Sequence, residues 1–480
     1  MCGIVGIYSF DKQKNVVPAL IKGLMDLQNR GQLSAGITTY NPTRRRILQT
    51  YKDNGKVDEV FRINHKYKLE NLTSHYSGHV GIGHTRYATS GDDSDTLAQP
   101  FERPHGRLSK WFSIAYNGNL ANYTKLKTQL ESVGYNMTYD SDTEIIMHYL
   151  SRDMQKHSPK DEINFQKLLG DLNNEFDGAW NLCFVNAEGK FFASRDPHGF
   201  HPLCYGIGDN FIIVASESNV ISNLHIKPYD LAPGTVLSVD PKKQGYTILP
   251  FAEMAKKHCF FEYIYFANTS SISDNTSVYR TREKIGLQLA KEEKNKFNKE
   301  EYLVVPVPDT SYVAGSQYAA AMKLPFVTGI LKNHQVGRTF ITGQDRIEKI
   351  KIKFSFIKEK LAGKKIILID DSIVRGSTLK GLVSVLKTWC MVKEVHVRIG
   401  CPPLIGPCFY GIDFPTVTEL YAGNHMPDHS DFNADSLQYI TMDGLLTCIN
   451  QDAQELCISC ISADYPTNEG KLRYKDLINA

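Results

Sequence analysis

The sequence lacks the features that would send it to a membrane or a secretory route. No uninterrupted apolar stretch of about 18 residues occurs, and no cationic leader with an apolar run and small-residue cleavage site opens it. These absences predict a soluble, cytoplasmic protein with no membrane partner. A dominant charge is missing too. The 55 Lys and Arg against 52 Asp and Glu leave a formal charge of +3, which excludes a nucleic-acid scaffold and a strongly acidic binder. Fixed-period repeats and low-complexity tracts are absent, so unlike domains in tandem are expected rather than a solenoid. Cysteine is present ten times. Since a reducing compartment keeps thiols apart, some of these cysteines point to chemistry or metal binding rather than to a disulfide framework.

The 480 residues leave room for two or three domains with full cores. Up to about residue 245, short β-rich runs such as LCFV at 182 to 185 and FIIVAS at 211 to 216 alternate with helical patterns. Val17, Leu20, Ile21 and Leu24 mark one such helix face. Pro233 and Gly234 signal a turn near the end of this half. The second half has strand, loop, helix order, with EYLVVPVPD from 301, KKIILIDD from 364 and EVHVRIGC from 394, the pattern of a parallel sheet. The basic run from Lys349 to Lys365 reads as a mobile flap or a solvated helix face.

Residues 364 to 378, KKIILIDDSIVRGST, carry the clearest chemistry. An apolar strand ends in Asp370 and Asp371, at the carboxyl edge where open α/β sheets bind ligands. Carboxylates there can accept hydrogen bonds from vicinal hydroxyls. Ser372, Arg375, Gly376, Ser377 and Thr378 then offer backbone N–H groups, hydroxyls and one permanent cation. They stand just before a helix whose positive end favours phosphate. Leu379, Leu382, Val383, Leu386 and Trp389 give that helix its apolar face. The run closely resembles the phosphoribosyl pyrophosphate (PRPP) loop of type I phosphoribosyltransferases.

Cys2 carries a different chemistry. Removal of Met1 would leave a thiol on the terminal residue, whose α-amine, with a reference pKa of about 7.7 to 8.0, can serve as base for its own sulfur. Five ordered blocks surround it: MCGIVGIY at 1 to 8, NRGQLSAGI at 29 to 37, GHTRYATSG at 83 to 91, YNGNL at 116 to 120 and SDTE at 141 to 144. Together they resemble a class II glutamine amidotransferase. The resemblance implies Cys2 as nucleophile, and the Asn117 amide with the Gly118 N–H as oxyanion donors. It also implies that Arg86 binds the glutamine α-carboxylate and Asp142 the α-ammonium, with Arg30 and Thr89 in the same glutamine-binding shell.

The two halves together are similar to the glutamine PRPP amidotransferase family. Sugar isomerase domains and an ATP-pyrophosphatase loop, which other users of that first domain would carry, are not found. The likeness runs through CFFEYIYFA at 259, SVYRTREKIGLQLA at 277, VPVPDTS at 305, GRTFI at 337 and CFYGID at 408. It implies an α+β N-terminal-nucleophile glutaminase sandwich over 2–245, an α/β type I phosphoribosyltransferase domain over 246–445, and a C-terminal segment at 446–480. It further implies Arg338 and Lys353 as PRPP contacts, and Mg²⁺ held by Thr310, Asp370 and Asp371. Departures lie at Thr310 for the usual serine, at Asn268, Thr269 and Ser270, at His334 and Gln335 in KNHQVGRTFI, at Lys351, and at His201, where the family carries an arginine.

Cys457 and Cys460 form a C-x-x-C pair that by itself fits a zinc half-site, a redox pair or two buried thiols. With Cys259 and Cys408 they stand where the family's iron–sulfur subgroup places its ligands, which implies a structural [4Fe–4S] cluster. The remaining cysteines read as core residues. The expected activity is glutamine hydrolysis at Cys2 with delivery of ammonia to C1 of PRPP, giving 5-phosphoribosylamine and pyrophosphate. Purine nucleotides are the implied inhibitors, a homo-oligomer (dimer or tetramer) the expected assembly, and nucleic acid is not a partner. A paralogue aminating another phosphoribosyl acceptor, or a nucleotide-sensing glutaminase, are the alternatives.

Overall fold

The computed structural model describes residues 1–480 except 88–96, 157–162, 244, 334–345, 415, 424 and 480, and leaves out the side chains of 346 and 347. Among the described residues, the first half stacks two antiparallel sheets. One has seven strands, with Gly3–Ser9 and Val80–Arg86 adjacent near its centre. The other has six, with Phe112–Leu120 paired to Gly178–Asn186. Ile4, Tyr8, Ile82, Ala115, Cys183 and Phe191 fill the space between them. Because helices cover the outer faces as well, these strands are buried on both sides. They therefore read as near-continuous apolar runs instead of alternating ones. Val17–Asp26 lays Leu20 and Leu24 on Val5 and Ile37 of the first sheet, and Asp142–Lys156 lays Ile146 and Leu150 on the second. The architecture is thus a helix–sheet–sheet–helix sandwich.

The second half is built on four parallel strands in the order Tyr302–Pro306, Lys365–Asp370, Glu394–Ile399, Ser436–Tyr439. Ile366, Ile367, Leu368 and Ile369 are fully buried in the second of these. The helix following it spans Ser377–Thr388. The basic run resolves into a helix over Arg346–Lys353, a short strand Phe354–Phe356 paired with Ile330–Lys332, and a turn of helix at Lys358–Leu361.

The expected boundaries at 245 and 446 do not coincide with breaks in the structure. Thr247–Pro250 closes a hairpin with Thr235–Val239, so the first half's sheet runs past residue 245. Residue 446 falls within the helix Met442–Cys448. The last segment is not separate either. Cys457 pairs with Cys259 in a short parallel ladder, and the helix Asn468–Asn479 returns to the first half, where Arg473 donates to the Ala121 carbonyl and the Glu469 N–H to Asp177. It straps the two halves together. No helix among the described residues is long and apolar enough to cross a membrane.

Candidate active sites

Cys2 enters the first sheet beside the strand Phe112–Leu120. Its backbone N–H donates to Asn117 Oδ1 at 3.1 Å, and its thiol lies 3.9 Å from the Tyr87 carbonyl oxygen. Since a backbone N–H can only donate, the Asn117 oxygen must face Cys2 and the amide nitrogen must point away. That nitrogen is buried and has no hydrogen-bond partner, a costly arrangement unless a ligand arrives. Gly118 follows on the same strand. A Cβ there would collide with the Ala179 carbonyl, so only glycine lets the strand lie this close.

A cavity of about 40 Å³ opens beside Cys2, lined by Arg86, Gln99, Tyr116, Gly118 and Asp142 among others. Gln99 is fixed at both ends, accepting from the Tyr116 N–H and donating to Thr143 Oγ1. Asp142 opens the helix Asp142–Lys156 and accepts from the Tyr116 hydroxyl at 3.0 Å. Burial pushes its carboxyl up to about 6, only partly offset by that hydroxyl and nearby backbone N–H groups. It is a carboxylate awaiting a cation. The histidine in the GHTRYATSG block is not a base for the thiol. His84 sits opposite Ile4, donates from Nε2 to the Tyr116 carbonyl, and is held down to about 3 by burial.

Arg30 was expected in the glutamine shell. The structure places it behind Cys2, fully buried and absent from the cavity lining. Nε donates to the Cys2 carbonyl at 3.0 Å, Nη1 reaches Glu217 and Glu262, and Nη2 lies 2.7 Å from Glu262 Oε1. A buried guanidinium must spend its donors on acceptors nearby, and two carboxylates take them. Met1 is buried as well, among the apolar residues of the second half's core, with its sulfur 3.8 Å from Arg30. Thr89 lies outside the described residues.

At the second site, Asp370 ends its strand and Asp371 follows with its N–H on Asp370 Oδ1 at 3.0 Å. Asp371 also accepts from the Ser372 hydroxyl at 2.6 Å and from Thr310. Burial raises both carboxyls, and repulsion from Asp371 raises Asp370 further; Arg282 and Lys353 pull Asp371 back down. Thr310 spends its proton on Asp371, so it orients that carboxylate as well as bordering the site. Gly376 takes a left-handed φ of 67° at the N-cap of Ser377–Thr388, with Tyr421 where a Cβ would be. Ser377 and Thr378 occupy the first turn of that helix.

Arg375 forms an ion pair with the half-buried Glu419 and donates to the Asp413 carbonyl. Arg338 lies outside the described residues, as do His334 and Gln335.

The four expected cluster cysteines converge from three chain segments. Cys259 and Cys457 are register partners, and the Cys460 carbonyl accepts from the Ile405 and Gly406 N–H groups just before Cys408. Burial raises all four thiols, and Cys460 is raised further by Cys408, Cys259 and Cys457. Among the described residues, no three Cys, His, Asp or Glu close up into a site for a single metal ion.

Both halves of the chain have counterparts among known proteins. Residues 84–223 match a family model described as a glutamine amidotransferase domain. The chain is 37% identical to the amidophosphoribosyltransferase of Methanothermobacter thermautotrophicus over 475 residues, covering 97% of this chain and 94% of the relative. The chain belongs to the amidophosphoribosyltransferase family. It is therefore a transferase of purine synthesis that carries a glutamine amidotransferase domain. Identity to the chloroplastic amidophosphoribosyltransferase 2 of Arabidopsis thaliana is 36%, over 97% of this chain and 79% of that one. In structure it is similar to the glutamine PRPP amidotransferase of B. subtilis complexed with ADP and GMP, with a TM-score of 0.84, 31% identity and 98% of each chain covered. The expected sandwich and phosphoribosyltransferase fold are both present.

Sequence reasoning missed Glu217, Glu262, Gln99 and Tyr116. One signal was available: Glu262 is an acid inside the aromatic run CFFEYIYFA, where an unpaired charge would be costly.

Proposed function

We propose that Cys2, freed of Met1, attacks the glutamine side-chain amide and that the released ammonia displaces pyrophosphate from C1 of PRPP. The observation that carries this reading is the buried, unpartnered Asn117 Nδ2 beside Cys2, whose Oδ1 already holds the Cys2 nitrogen. With Met1 removed, the same Oδ1 would orient the α-amine that accepts the thiol proton. Nδ2 and the Gly118 N–H would then receive the oxyanion of the tetrahedral intermediate, a contribution of about 2.7 to 4 kcal/mol per donor. Arg86 takes the α-carboxylate and Asp142 the α-ammonium. As the intermediate collapses, the amine returns its proton to the leaving nitrogen, ammonia departs, and water hydrolyses the thioester to glutamate.

Asp370 and Asp371 would bind the ribose hydroxyls, while the 372–378 loop and its helix N-terminus would hold the 5-phosphate. Two adjacent buried carboxylates with few other oxygen ligands fit Mg²⁺, which keeps waters and shares substrate oxygens. Bound there, the ion supplies charge neutralisation for the departing pyrophosphate. Purine nucleotides carry the same ribose phosphate and would compete at this loop. Cys259, Cys408, Cys457 and Cys460 fit a [4Fe–4S] cluster. Three buried cysteines and the half-buried Cys408, drawn from three chain segments, offer the four thiolates that a cluster needs.

One coupled assay tests the reading. Glutamate and pyrophosphate should appear together in equal amounts when glutamine, PRPP and Mg²⁺ are supplied. Glutamate without pyrophosphate would leave only the glutaminase.

A further inference from the structure

His201 lies in neither site, yet it is 1% exposed and surrounded by hydrogen-bond acceptors. Nε2 is 2.6 Å from the Tyr410 carbonyl oxygen, which can only accept, so Nε2 carries a hydrogen. Nδ1 points to Glu262 Oε1 at 3.5 Å without a well-formed hydrogen bond. Glu262 can also only accept once ionised. Burial acts to raise its carboxyl, but Arg30 and His201 hold it well below the usual range. A second buried carboxylate, Asp196, has one oxygen without a partner, and its charge interacts with His201. The ring thus stands between the Tyr410 carbonyl and Glu262, with Asp196 close by.

We propose that His201 is a positioning residue that couples the two halves of the enzyme. The chain of contacts is short. His201 faces Glu262 of the second half, Glu262 grips Arg30, and Arg30 holds the carbonyl of Cys2. The other charged groups around it are accounted for. Arg195 donates to the His201 carbonyl but pairs with Asp274, Glu217 pairs with Arg30, and His198 lies on the same turn as Asp196. Gly411 closes the far side, where a Cβ would lie 3.0 Å from His201 Nε2 and 3.4 Å from the Gly118 carbonyl carbon. Loss of the ring's contact with Glu262 lets the Arg30 grip on Cys2 drift. Ammonia-dependent synthesis, which does not use Cys2, is insensitive to it. The inference rests on Cys2 being the nucleophile.

The test follows glutamate release with PRPP present. Wild type, His201→Arg and His201→Gln are compared, with ammonia-dependent synthesis as the check on folding. The arginine variant, which keeps donors for both the Tyr410 carbonyl and Glu262, should keep its kcat and KM. The glutamine variant should be about tenfold down in kcat with little change in KM, within the usual range of coupling between sites. A fully active His201→Gln, or an equal loss of the glutamine and ammonia reactions in it, overturns the proposal. If the arginine variant does not fold, the glutamine variant alone decides. Absence of glutaminase in wild type would instead refute Cys2 as nucleophile.

Discussion

Arg30 and Glu262 lie 2.7 Å apart, 232 residues distant in sequence, and both side chains are sealed from solvent. One belongs to the glutaminase sandwich and the other to the π-helical turn Glu262–Phe266 that leads into the phosphoribosyltransferase half. Breaking such a pair from one side leaves a buried charge with too few partners, at about 3 to 5 kcal/mol. Glu262→Gln should lower the urea midpoint accordingly. An unchanged midpoint would mean that Glu217 alone suffices for Arg30.

Asn117→Ala removes both the hold on the Cys2 nitrogen and the proposed oxyanion donor. It should cut kcat with glutamine by about 10²- to 10³-fold. Cys2→Ala should abolish glutamine use while sparing synthesis from ammonia. Loss of both routes in Cys2→Ala would argue against separable sites.

Asp142 gives a pH dependence with a definite sign. Burial pushes its carboxyl up to about 6, and only the ionised form attracts the α-ammonium of glutamine. KM for glutamine should therefore rise as pH falls below about 6 and level off above about 7. Asp142→Asn should show a high KM with that inflection gone. A flat wild-type KM profile would remove Asp142 from the binding role.

Asp371→Asn addresses the second site. It relieves the repulsion between neighbouring carboxylates, so the protein should be no less stable. It also removes a ligand for the ribose and Mg²⁺, so pyrophosphate release should fall on both the glutamine and ammonia routes, by about tenfold or more. Calorimetric titration with PRPP and Mg²⁺ separates weaker binding from slower chemistry. Full affinity would place PRPP elsewhere.

Anaerobically purified protein should be brown and contain iron and sulfide. Cys457→Ser should lose both together with thermal stability. Colourless, iron-free wild type with bound zinc would overturn the cluster assignment.

Much of this was legible in the sequence because it is local. The run from Lys365 to Asp370 is apolar on both faces and ends in acid, which fixes a buried strand and its ligand-binding edge without reference to anything distant. The Ser377–Thr388 helix announced itself by its spacing. Arg30 did not, because its partners are decided by how two domains dock, and no periodicity within NRGQLSAGI encodes Glu262. The partner of Arg375 was hidden for the opposite reason. Its loop is exposed, and Glu419 is close enough in space to claim it. The turn at Pro233 and Gly234 lies near the end of the first half, but the chain still adds the strand Thr247–Pro250 before leaving the sheet.

The segment that follows Cys408 is also the back support of the strand Phe112–Leu120. The Asn119 side chain donates to the Phe409 carbonyl at 2.8 Å, and Gly411 presses against the Gly118 carbonyl group. An oxidant that attacks the gathered sulfurs would therefore unseat the wall behind Asn117 and Gly118 while the Asp370 edge keeps its own support. Air damage should silence the glutamine reaction first and leave, for a time, an enzyme that lives on ammonium salts.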